Sequence, residues 1–169
     1  MKKILTSSIL LCILFLTGCV KNELTVYTGS VVEFDAASWN ANAAGLTYPM
    51  MTRVPTFNAA TGSGQPSLTR ASGTVTLRVN LVGAQSSTPI SFDYVVASES
   101  TATAGTHYTA ITGKGTIPAN SSFGTIDVVI LNPGVSSTTA RDLVLQLVDN
   151  SSIKASVNYA KVGLRISQL

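Results

Sequence analysis

The chain has 169 residues, which is enough for one domain and short for two. Hydrophobic residues make up 45% of it and charged residues only 11%, a composition that excludes an intrinsically disordered chain. The net charge of +3 falls close to neutral once Lys2 and Lys3, which lie in a segment predicted to be removed, are set aside. The other Lys and Arg residues are scattered singly, so no nucleic-acid partner is expected, because such partners select basic side chains clustered on one face.

The N-terminus has the organisation of a signal peptide, predicted over residues 1–18. Lys2 and Lys3 are followed by an apolar run, residues 4–16, that is shorter than the roughly 20 residues of a membrane-spanning helix. The run ends in Leu-Thr-Gly-Cys at positions 16–19, which resembles the lipobox of bacterial lipoproteins. That resemblance implies cleavage before Cys19, a diacylglycerol on its sulfur, and a tether over residues 19–29. The alternative is an ordinary secretory signal in which Cys19 is incidental.

Cysteine usage agrees with a lipid anchor. The chain has two cysteines, and Cys12 lies inside the predicted signal peptide. A lipidated Cys19 would leave the mature chain without a thiol for a disulfide, a metal site or a nucleophile. We therefore expect an outer-membrane lipoprotein of the cell envelope, held to the membrane through its acyl chains, on either the periplasmic face or the cell surface.

Beyond the tether, apolar and polar residues alternate as they do in half-buried strands. Seven strands are predicted, over residues 31–35, 74–81, 90–96, 114–117, 125–131, 143–148 and 160–167. Short strands separated by Gly, Pro and Asn turns predict an all-β, immunoglobulin-like antiparallel β-sandwich over residues 30–169. Residues 127–131 and 143–148 are partly apolar on both faces, so we expect these strands to be central or covered by a loop.

The segment over residues 38–72 is predicted as a long loop, although residues 50–57 could hold one edge strand. It contains Trp39, Tyr48 and Phe57, which are candidate ligand-binding residues. Glycan-binding surfaces often stack sugar rings on exposed aromatic side chains, and exposed apolar patches mark interaction sites. The alternative is that these side chains fold back to cover a sheet edge or the open face of the sandwich.

Two stretches in the middle of the chain resemble the Calx-β pattern. Ser-Thr-Ala-Thr-Ala-Gly-Thr-His-Tyr at positions 100–108 follows the motif T-A-x-x-G-x-D-Y, with His107 in place of its Asp, and Gly-Thr-Ile-Pro-Ala-Asn-Ser-Ser at positions 115–122 continues it. From Gly73 onward the chain is also similar to uncharacterised lipoprotein domains of Bacteroidota, which share the Asn-Tyr-Ala-Lys-Val run at positions 158–162. The resemblance implies an immunoglobulin-like β-sandwich and, for these relatives, no established activity.

The resemblance also raises the question of calcium, which some Calx-β domains bind through acidic residues after the strand that corresponds to residues 125–131. This chain has Asn-Pro-Gly-Val-Ser-Ser there, at positions 132–137. Its other acids are dispersed, at Asp93, Glu99, Asp127, Asp142 and Asp149. Glu33 and Asp35 share one face of a predicted strand, which we expect to be a solvated face. Because hard cations need several convergent oxygens, we expect no metal and no cofactor.

Catalysis is not expected either. His107 is the only histidine, and no G-x-S-x-G elbow is present. We expect His107 to be a loop residue that hydrogen-bonds the backbone. The favoured function is a non-enzymatic, lipid-anchored module that binds or presents a glycan or a protein partner at the outer membrane. A structural or assembly spacer without a small ligand is the second hypothesis, and a glycan-active enzyme with an unrecognised carboxylate site is the third.

Overall fold

The computed structural model describes residues 29–169, so the predicted signal peptide, Cys19 and most of the tether lie outside the described residues. The elements in chain order are β1 (Val31–Phe34), α1 (Asp35–Trp39), β2 (Met50–Met51), β3 (Thr74–Val82), β4 (Ile90–Val96), β5 (Lys114–Ile117), β6 (Phe123–Val129), β7 (Arg141–Val148), β8 (Lys154–Ala155) and β9 (Lys161–Ile166). No helix in this part of the chain combines the length and the apolarity needed to cross a lipid bilayer.

The strands form two sheets, and their facing surfaces enclose one main core. The four-stranded sheet has the order β6-β3-β1-β8, and the five-stranded sheet has the order β2-β9-β7-β4-β5. Neighbouring strands are antiparallel except for the short strands β8 and β2, which run parallel to β1 and β9. The predicted all-β sandwich is therefore confirmed.

Alternation along the long strands builds the core, because successive side chains of a strand point to opposite faces of its sheet. In β3 every second residue is buried, and β7 and β9 face it with equally buried residues. These inward side chains are Val75, Leu77, Val79 and Leu81 of β3, Leu143, Leu145 and Leu147 of β7, and Val162, Leu164 and Ile166 of β9. Burial of each contributes about 1.5–3 kcal/mol, which makes this layer the main source of stability.

The two strands with apolar residues on both faces turn out differently. Strand β7 lies centrally in its sheet, as predicted, and the outward side chain of Val144 is buried by the segment over residues 38–72. Strand β6 lies at an edge of its sheet and not centrally, so only the second predicted placement, contact with a loop, applies to it. The loop before β5 instead covers the end of β6, where the Thr109 N–H donates to the Val129 carbonyl over 2.9 Å and Tyr108 bridges to Ile130.

The first predicted strand ends one residue early, because the chain turns into α1 at Asp35. Asp35 is buried, and its carboxylate accepts hydrogen bonds from the Asn58 N–H at 2.8 Å and from Asn80 Nδ2 at 3.0 Å. The expected solvated face for Glu33 and Asp35 is therefore wrong for Asp35. Glu33 is half-buried, and its pKa is raised by that burial and by the Asp35 charge, against a hydrogen bond from Asn80 that lowers it.

The segment over residues 38–72, predicted as a long loop that could hold one edge strand at residues 50–57, does contain such a strand, the two residues of β2. Further along, Arg53 and Ser67 form an isolated bridge, and Thr69 bridges to Ser167 just after β9. The segment is thereby fastened along the β9 edge of the five-stranded sheet. Strand β8 and helix α1 had no signal in the sequence, because elements of two and five residues are too short to show a period.

Candidate functional site

The three aromatic candidates of the 38–72 segment lie in different environments. Trp39, at the end of α1, is 50% exposed, and Phe57 is 44% exposed. Tyr48 is only 6% exposed. A ring that stacks on a sugar needs an exposed face. Trp39 and Phe57 are exposed enough for such stacking, and Tyr48 is not.

Tyr48 packs on the outer surface of the five-stranded sheet. With Met50 it covers Val144 of β7, and Ala97 completes this small cluster. The arrangement depends on Gly163 of β9, because a Cβ at that position would come within 2.7 Å of the Met50 sulfur. Burial is the main cause of the raised pKa of Tyr48. Tyr48 therefore folds back and covers the sheet, as the alternative prediction expected.

A groove forms where the chain crosses from one sheet to the other between β8 and β9. On the first side the Ser156 N–H donates to the Val32 carbonyl at 2.8 Å, and the Phe34 N–H donates to the Tyr159 carbonyl at 2.9 Å. On the second side the Leu147 N–H donates to the Ala160 carbonyl at 2.8 Å. These bonds tie the backbone of the crossing segment to both sheets.

We call this cavity the crossover groove. It has a volume of about 620 Å³ and is lined by Asn42, Thr47, Gln146, Val157, Asn158, Tyr159, Ala160 and Lys161. Tyr159 is 40% exposed. Three side-chain amides accompany it, and each amide both donates and accepts hydrogen bonds. A site of this size, with one aromatic surface and several polar groups, fits a small polar ligand.

Lys161 is the charged member of the groove lining, and it is already paired. Its Nζ lies 2.7 Å from Oε1 of Glu99 and 5.4 Å from the centre of the Tyr48 ring. The hydrogen bond from Lys161 is the main cause of the lowered pKa of Glu99. The ammonium is therefore neutralised on the outer face of the five-stranded sheet.

Sequence reasoning did not single out the groove as a site. The Asn-Tyr-Ala-Lys-Val run at positions 158–162 is, in the sequence, a point of resemblance only. An available signal was Val157, Asn158 and Tyr159 directly before a clear strand, since an exposed aromatic beside an amide is suited to polar ligands. The partners Asn42 and Gln146 are distant in sequence, and nothing local connects them to that run.

A second, smaller groove of about 360 Å³ lies beside β2. It is lined by Asn40, Ala41, Pro49, Met50, Met51, Thr52, Arg53, Thr61, Gly62 and Ser63. Arg53, the cation in this lining, binds the surrounding loop, because its Nη1 donates a hydrogen bond to the Gln65 carbonyl at 2.6 Å. Asn40 is similarly committed, accepting from the Thr61 N–H and donating to the Ala36 carbonyl. Trp39, Tyr48 and Phe57 line neither groove.

The five acidic side chains that are dispersed in the sequence, from Asp93 to Asp149, are engaged one at a time. Four of them form ion pairs, namely Asp93 with Lys114, Glu99 with Lys161, Asp142 with Arg165 and Asp149 with Lys154, and Asp127 accepts from the Thr76 hydroxyl at 2.6 Å. Within residues 29–169 no three His, Cys, Asp or Glu side chains come together as metal ligands would. In the loop over residues 132–137, the side chain of Ser136 accepts a hydrogen bond from Arg70, a cation that would repel a metal ion. The absence of a metal site remains a prediction.

His107 has the backbone role that was expected of it. Its Nδ1 accepts a hydrogen bond from the Thr103 N–H at 2.9 Å, and its own N–H donates to the Thr103 carbonyl. Gly105, with a φ of +79°, provides the turn between them. The histidine therefore closes a tight loop through hydrogen bonds to the backbone.

The chain has the fold of Calx-β domains. It is similar to the crystal structure of the apo form of the Calx CBD1 domain, with a TM-score of 0.53 and 16% identity over 82% of this chain and 97% of that one. It is also similar to the crystal structure of the calcium binding domain CBD12 of CALX1.1, with a TM-score of 0.50 and 19% identity over 59% of this chain and 40% of that one. No family model and no curated protein sequence matches the chain.

Proposed function

We propose that the chain is a non-enzymatic, lipid-anchored module of the outer membrane that binds a glycan in the crossover groove. The observation that carries the proposal is the half-exposed ring of Tyr159 among the amides of Asn42, Gln146 and Asn158. Sugar rings present apolar C–H faces to an aromatic ring, while their hydroxyls need partners that donate and accept. The engagement of His107 and of the carboxylates in structural contacts supports a role in binding rather than catalysis.

Tyr159→Ala is expected to weaken glycan binding about tenfold, because an aromatic anchor in a pocket typically contributes more than about 1 kcal/mol to affinity. The measurement is a glycan array with soluble residues 20–169, followed by titration of the glycan that binds best. Thermal unfolding should change little, because much of this ring is already exposed.

Trp39→Ala and Phe57→Ala are the matched controls for Tyr159→Ala, because both rings are half-exposed and lie outside the groove lining. Both should bind as the unchanged protein does. Loss of binding in Trp39→Ala or Phe57→Ala, with Tyr159→Ala unaffected, would move the site to the 38–72 segment. Binding of no glycan by any of these proteins would favour the spacer hypothesis.

Cys19→Ala is expected to release the protein from the membrane fraction, because the acyl chains on that sulfur are the proposed anchor. The measurement is membrane fractionation combined with incorporation of labelled palmitate. Cys12→Ala is the control, since its thiol lies in the segment that is proposed to be cleaved. Retention of Cys19→Ala in the membrane, or no label on the unchanged protein, would contradict the anchor.

A further inference from the structure

The crossover groove is almost free of charge. Among its lining residues, Asn42, Thr47, Gln146, Asn158 and Tyr159 offer neutral polar groups, and only Lys161 is charged. A lone ammonium in such a groove would favour acidic sugars such as uronic acids, because a carboxylate would be its natural partner.

Glu99 removes that preference. It lies 2.7 Å from the Lys161 ammonium, and neither side chain is fully exposed. An acidic ligand would therefore have to displace Glu99 or accept a second carboxylate beside its own. A neutral ligand meets no such repulsion, because the Lys161–Glu99 pair has no net charge.

On the basis of the proposed function, we infer that the crossover groove selects uncharged glycans over acidic ones, and that Glu99 sets this selectivity by occupying Lys161. The Lys161–Glu99 ion pair also holds the lysine ammonium near the Tyr48 ring. Lys161 therefore contacts both the outer face of the sheet and the crossover groove. Glu99 thus acts through Lys161 as a specificity-determining residue, without lining the groove itself.

The test compares neutral oligosaccharides with uronic-acid-containing oligosaccharides of the same length, titrated into the unchanged protein and into Glu99→Gln. The unchanged protein should prefer the neutral glycan. Glu99→Gln should gain about fivefold in affinity for the acidic glycan, the size expected for one partly exposed ion pair, with neutral binding unchanged. The gain should shrink at high salt, because salt screens partly exposed charges.

Asp142→Asn is the matched control, since it removes one negative charge from the same sheet face and frees Arg165, which lies outside the groove lining. It should leave both affinities unchanged. An equal gain in Asp142→Asn and Glu99→Gln would overturn the role of Glu99, and so would no gain in either. Preference of the unchanged protein for the acidic glycan, with binding still lost in Tyr159→Ala, would overturn the selectivity alone. Binding of neither glycan by any protein would overturn the proposed function as well.

Discussion

Gly124→Ala is expected to lower the free energy of unfolding by about 3 kcal/mol, because an added methyl group would overlap a neighbouring backbone. A Cβ on Gly124 would lie 3.0 Å from the Thr116 carbonyl carbon and still closer to its oxygen. Strand β6 is at one edge of its sheet and β5 is at one edge of the other, so this contact closes one side of the sandwich. Backbone cannot move aside as a flexible side chain can.

Thermal and urea unfolding of soluble residues 20–169 measure this effect, and the midpoint of thermal unfolding should fall by about 10 °C. Gly64→Ala is the control, because a Cβ there meets nothing within 4 Å and its φ is not in the left-handed region. Its stability should change by no more than about 0.5 kcal/mol. Equal stability of the two variants would show that β5 and β6 do not approach as closely as described.

Tyr48→Ala is expected to cost about 2–3 kcal/mol of stability, since it would uncover Val144 and leave a cavity beside Met50. Trp39→Ala removes a larger ring but should cost only about 1 kcal/mol or less, because half of that ring is in contact with solvent. The smaller ring, Tyr48, is thus expected to cost more stability than the larger ring, Trp39, because Tyr48 is buried and Trp39 is half-exposed.

Thermal unfolding of Tyr48→Ala and Trp39→Ala is the measurement, and Tyr48→Phe, which keeps the ring, serves as the control. Tyr48→Phe should lie close to the unchanged protein. If Tyr48→Ala kept its melting temperature and lost glycan binding instead, Tyr48 would be a ligand contact and the covering role would be wrong.

Strand prediction succeeded where the signal was local. In β3 and β9 the burial of each side chain follows from its position in an alternating run, so the sequence alone shows which residues face the core. The same signal did not place β6, because partly apolar faces predict either a central strand or one covered by a loop, and β6 lies at an edge of its sheet. Residues 107–109 pair with the backbone at the end of this strand, a contact that depends on how a distant loop is placed.

The aromatic residues were harder to predict for the same reason. Both Tyr48 and Tyr159 precede a strand, and their position along the chain does not show that the first is buried and the second exposed. Tyr48 is buried because Gly163 leaves room for it against the outer face of β9 and β7. Tyr159 is exposed because the segment that carries it crosses between the sheets.

The sequence by itself determined the β-sandwich class, the core face of the long strands and the backbone role of His107. The period of two and the turn residues express these features within a few neighbouring positions. Only the tertiary structure decided that Asn42, Gln146 and Tyr159 line one groove and that Glu99 holds Lys161. These residues meet because the 38–72 segment, strand β7 and the segment that crosses to β9 converge beside the outer face of the five-stranded sheet. Convergence of distant segments leaves no pattern in the local order of residues.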